Sequence, residues 1–143
     1  MVRPMKNATP FPRPEAPRAA TVSVLTQPAR AIFDPSPVMA IYSDTAEHHA
    51  EEIICRALED LAYRINAVMD LHRASQLDAL HQAATQLADR ADRIGMVELA
   101  KAARHVAACA ALGDPIALEA VMARLERAFD LGLMQVWDAR ESG

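Results

Sequence analysis

The stretch LDALHQAATQLADRADRIG, Leu77 to Gly95, decides the fold. Its apolar positions, Leu77, Leu80, Ala84, Leu87, Ala91 and Ile94, recur at alternating intervals of three and four. That is the repeat of an α-helix keeping one seam against a neighbour. The intervening residues are polar apart from Ala79, Ala83 and Ala88, and Gly95 supplies a left-handed stop. Upstream, Ser75 reads as the N-cap of this helix. Before it, Ile54, Leu58, Leu61, Ile65, Val68 and His72 repeat the same spacing on a longer helix. The start of that helix is expected at Ser43 or Asp44, where Asp44 and Glu47 have the spacing of a capping box.

Downstream of Gly95, Val97, Ala100, Ala103, Val106, Ala107 and Ala110 form a thin seam of small residues that ends at Gly113. Asp114 then serves as N-cap, with Pro115 at the first helical position, where a missing amide costs nothing. The last helix presents Leu118, Val121, Met122, Leu125, Phe129 and Gly132 and continues weakly to Val136 and Trp137. No stretch sustains a period of two, so no sheet is expected. Helices joined by such short connections fold as up-down neighbours. The sequence therefore predicts an all-α protein, an antiparallel four-helix bundle over residues 43–140, preceded by a Pro-rich arm over residues 1–42.

The arm has its own logic. Eight of the nine prolines fall by residue 37. Pro4, Pro10, Pro12, Pro14 and Pro17 predict disorder over residues 1–20. TVSVL, AIF and VMAIY are apolar clusters broken by Pro28, Pro35 and Pro37, and predict an extended segment over residues 21–42.

In 143 residues, 52% are apolar but only six are aromatic, so the core is aliphatic and rich in alanine, the strongest helix former. The net charge of −4 is uneven. Residues 1–36 carry Arg3, Lys6, Arg13, Arg18 and Arg30 against Glu15 and Asp34, and the remainder has 10 basic and 17 acidic residues. An acidic bundle repels a phosphate backbone, which argues against nucleic-acid binding. No run is long enough for a membrane span, and no apolar signal core stands at the N-terminus. Cys55 and Cys109 lack CxxC spacing and read as free, packed thiols. The expected location is the cytoplasm.

Catalytic and metal motifs are weak. His48 and Glu52 stand one turn apart, but no second cluster completes a metal site, and acidic residues favour a helix start in any case. Asp78 and His81 form a single Asp-x-x-His, short of the repeated motif of di-iron bundles. His72 reads as a half-buried core residue on the seam or a last-turn cation, and His105 as a surface or boundary residue. Asp89 and Arg93 have the spacing of a supportive surface pair. His81 shares a helical stripe with Thr85, Ala88 and Asp92. No metal and no cofactor is expected.

Residues 75–131 resemble the core of a histidine-phosphotransfer (HPt) domain, the helical relay module of bacterial two-component signalling. The resemblance rests on Ile94-Gly95 at a helix end, on Val97-Glu-Leu-Ala-Lys-Ala-Ala opening the next helix, on Gly113-Asp114, and on Ala117-Leu-Glu-Ala-Val-Met-Ala-Arg-Leu-Glu closing the pattern. Counted back from Gly95, the family's spacing puts Thr85 where the phospho-accepting His belongs, with Leu87 on the motif's Leu. Ala88 then replaces its Lys, and Asp89 its Gly. Losing the nucleophile and adding a negative charge both oppose phosphotransfer. The resemblance therefore implies a protein that contacts a histidine kinase or receiver domain in a phosphorelay without carrying phosphate, through His81, Thr85, Ala88, Asp89 and Asp92. One alternative is an atypical phosphotransfer protein using His81. Another is a self-associating scaffold, a homodimer paired through the Ala-rich third helix.

Overall fold

A computed structural model of the protein describes residues 33–142. Among these residues the fold is entirely helical, with five helices and no strand. They are α1 (Ser36–Asp44), α2 (Glu47–Arg73), α3 (Leu77–Arg93), α4 (Val97–Leu112) and α5 (Pro115–Ser142). Consecutive long helices pack side by side, α3 on α4 most extensively. The short α1 lies against both α2 and α5. No helix among the described residues is long and apolar enough to cross a membrane.

The seams read from the sequence form the core. Ile54, Leu61, Val68, Leu80, Leu87, Val106 and Leu125 are almost completely buried. On α4, Ala100, Ala103, Ala107 and Ala110 are buried too, which lets neighbouring helix axes approach closely. This seam is taken up inside the chain by α3 and α5, so it is not the face with which a second copy could pair.

Each of the three turns between the long helices closes in the same way. Gln76 N–H donates to Leu71 O and Ser75 N–H to His72 O; Met96 and Gly95 repeat this onto Ala91 and Asp92, and Asp114 and Gly113 onto Cys109 and Ala110. These are Schellman closures, each with a left-handed residue at its centre. Gly95 and Gly113 fill two of them at φ 85° and 71°, and Ser75 fills the third at φ 55°.

Two expected caps are corrected accordingly. Ser75 closes α2 instead of capping α3, whose N-cap is Gln76, without a side-chain bond. Asp44 ends α1 instead of opening α2; the N-cap of α2 is Ala46, again without a side-chain bond, so the Asp44–Glu47 capping box does not form. Asp114 behaves as expected, its Oδ1 accepting from the amides of Ile116 and Ala117, each at 3.1 Å. Asp114→Ala should lower the unfolding free energy by about 1 kcal/mol, read from the midpoint of a urea transition.

The expected extended arm is also corrected in part, because residues 36–44 are helical. Pro35 occupies the N-cap and Pro37 the first turn, where a helix needs no amide donor, so prolines that read as breakers are compatible with a helix start. Asp34 Oδ1 accepts from Ser36 N–H at 3.0 Å, and this bond holds the Asp34 carboxyl below its ordinary range. Val38 is fully buried, and Asp34 N–H donates to Gly95 O at 2.7 Å, tying the start of α1 to the α3–α4 turn. The expectations for residues 1–32 lie outside the described residues.

Candidate functional site

The stripe on α3 is largely solvent-facing. His81, Thr85, Asp89 and Asp92 are exposed, and two of them are tied to α4. His81 Nδ1 lies 2.9 Å from Ala107 O. A carbonyl oxygen only accepts, so Nδ1 carries the proton, and in the neutral ring Nε2 keeps the lone pair. Asp92 pairs with Arg104.

Thr85 Oγ1 donates to His81 O at 2.9 Å, one turn back, so its proton is used within the helix. Asp89 has no hydrogen bond or ion pair among the described residues, and the expected Asp89–Arg93 pair is absent.

Ala88 must be removed from the exposed face. It is 1% exposed, buried where α3 meets the small residues of α4. A hydrophobic count identifies the seam, but it does not show how far the flanks of that seam are covered. The width of cover depends on the side-chain size of the opposing helix, here alanine.

The remaining histidines are dispersed. His49 Nδ1, not His48, stands 3.4 Å from Glu52 Oε1. His72 Nε2 stands 3.3 Å from Glu119 Oε2, joining the end of α2 to the start of α5. His105 Nδ1 faces Arg124 at 3.4 Å. Among the described residues, no three His, Cys, Asp or Glu side chains converge as a metal site; Cys55 and Cys109 are free, but Cys55 is exposed instead of packed.

Two clusters were not foreseen from the sequence. In the first, Arg140 Nε donates to Glu51 Oε2 at 2.8 Å, with its guanidinium 4.5 Å from the Trp137 ring centroid. Tyr42 lies beside this pair, and burial first, then the Glu51 carboxylate, pushes its phenol above the ordinary range. This cluster clamps α1, α2 and the end of α5 together, and it explains why α5 continues past Trp137. In the second, Asp60 Oδ2 accepts from Arg64 Nε at 3.0 Å and from Arg90 at 3.1 Å, joining α2 to α3. Both span separations that no local pattern reveals.

Comparison of the chain with protein-family models, with curated proteins and with solved structures finds no match in any of the three.

Proposed function

We propose that α2–α5 form an antiparallel, HPt-like four-helix bundle that acts in the cytoplasm of a bacterium. In this reading it binds a histidine kinase or receiver domain of a two-component phosphorelay without carrying phosphate. Connections limited to residues 74–76, 94–96 and 113–114 support the antiparallel order, since such links are too short to cross a bundle. The observation that carries the functional reading is the exposure of Thr85 and Asp89 on α3. These are the positions that the HPt resemblance assigns to the missing phospho-accepting His and to the motif's Gly. A hydroxyl already donating to His81 O and a carboxylate with no partner among the described residues suit recognition better than nucleophilic attack.

One observation favours a second reading. With Nδ1 engaged by Ala107 O, Nε2 is the ring nitrogen of His81 left for a partner, on an exposed ring. Such a nitrogen could take a phosphoryl group from an acyl phosphate, the P–N bond forming as the P–O bond to the carboxylate breaks.

The two readings separate in one experiment. The protein is mixed with phosphorylated receiver domains and with autophosphorylating kinases, and both complex formation and acid-labile label on the chain are measured. The expected result is a complex without label, weakened at least about tenfold by Asp89→Arg. Label that disappears in His81→Ala would establish the second reading, and neither complex nor label would defeat both.

A further inference from the structure

Between α1, α2 and the end of α3 lies a groove of about 490 Å³, within the usual range of ligand pockets. Its floor is aliphatic, formed by Ile41, Ile53, Ala57 and Ile94. Its rim carries Arg56, Arg90 and Arg93 against a single acid, Asp60. That acid is already shared, since Asp60 Oδ2 accepts from both Arg64 and Arg90. Arg56 and Arg93 are exposed and have no ion pair or hydrogen bond among the described residues, although Glu52 and Glu59 stand within one turn of Arg56 on α2.

Residues 37–143 contain only 10 basic side chains against 17 acidic ones, and four of the 10 gather around Asp60. The helix dipole accounts for Arg90 and Arg93, which stand in the last turn of α3. It does not account for Arg56, in the interior of α2. An apolar floor, with guanidiniums on two sides that have no partner among the described residues, calls for an occupant that is apolar in the middle and anionic at its flanks.

We propose that this groove docks an acidic segment of a partner protein. A large aliphatic or aromatic side chain seats on Ile41, Ile53 and Ala57, and flanking carboxylates pair with Arg56 and Arg93. Guanidiniums take carboxylates in a bidentate fashion, which fixes the orientation of the segment as well as its charge. A bilayer of anionic lipid is a poorer fit, because its broad surface would meet the acidic remainder of the chain, whereas a narrow segment meets only the groove. The inference is independent of the HPt-like reading: it concerns a different face, and either could fail alone.

The test uses the full chain and fluorescence anisotropy with a labelled peptide in which pairs of Glu flank each Leu. Binding is expected, weakening with added salt. The double variant Arg56→Glu/Arg93→Glu should raise Kd by about tenfold or more, the milder Arg56→Gln/Arg93→Gln should raise it less, and Arg127→Glu, outside the groove, should leave it unchanged. Circular dichroism on each variant checks that the helices are intact. Ile53→Ser should weaken binding without altering its salt dependence. No binding by the unmodified chain would overturn the proposal. So would equal binding of a peptide with Gln or Lys in place of Glu, unchanged affinity in both double variants, or preferential binding to phosphatidylserine vesicles.

Discussion

Replacing Gly95 with alanine should lower the unfolding free energy by about 3 kcal/mol or more, whereas the same change at Gly113 should cost only about 1 kcal/mol. Both glycines close Schellman turns at positive φ, so both variants force an L-residue into the left-handed region. What separates them is the space around the new methyl group. At Gly113 nothing among the described residues lies within 4 Å of the added Cβ. At Gly95 a Cβ would overlap the Asp34 carbonyl oxygen, with the Asp34 carbonyl carbon at 2.9 Å and Pro37 Cδ at 3.4 Å.

Backbone cannot swing aside as a side-chain tip can, and Asp34 is held by its own bond to Gly95 O. Relief therefore requires the start of α1 to leave the α3–α4 turn. That loses the bond, worth about 1 kcal/mol, and part of the burial of Val38 at about 25 cal/mol per Å². Urea unfolding of the two variants side by side gives the difference. Limited proteolysis around residues 34–46 should show the Gly95 variant cut faster. Equal costs for the two variants would mean that α1 does not dock on the turn.

How far the sequence announces this architecture depends on the range of the signal. Seam residues such as Ile54, Leu87 and Leu125 are legible because their repeat is local and each helix must bury one face. Gly113 and Asp114 are legible because a left-handed stop followed by an Asp-Pro start uses residues with few other roles. Ser75 misleads for a related reason. Serine is a preferred N-cap, and only the closure of the preceding helix onto Leu71 and His72 decides that it takes the left-handed position instead.

The helix after Pro35 is hidden because its Asp34-Pro35 start, with Asp34 Oδ1 accepting from Ser36 N–H, stands between Pro28 and Pro37, which read together with Pro35 as breakers of a continuous extended segment. The candidate face divides in the same manner. Exposure of His81, Thr85 and Asp89 follows from their place off the seam, but the bond from His81 to Ala107 and the Arg56–Arg93 rim require knowing which helices meet.

Ala88 is where the HPt resemblance meets a physical test. The family places a lysine at this position to neutralise a phosphoryl group, which requires the side chain to reach solvent. Here the position is 1% exposed, at the junction of α3 with the alanine seam of α4. Ala88→Lys should therefore destabilise the protein by about 3 kcal/mol or more: overpacking a close helix pair costs roughly 1–3 kcal/mol, and a cation held out of water adds to this. Thr85→His should stay within about 0.5 kcal/mol of the parent, because that site is exposed and loses only a bond to its own helix.

Urea denaturation of the two single variants and the pair measures this contrast directly. The expected outcome is a tolerated His and a disruptive Lys, so that position 85 can take the residue the HPt resemblance calls for while position 88 cannot. A lysine at Ala88 without loss of stability would mean that its stem runs along the helix surface and its ammonium escapes to water. In that case the site could carry the charge that the HPt resemblance assigns to this position, and Thr85→His/Ala88→Lys would be the variant to assay for acid-labile label.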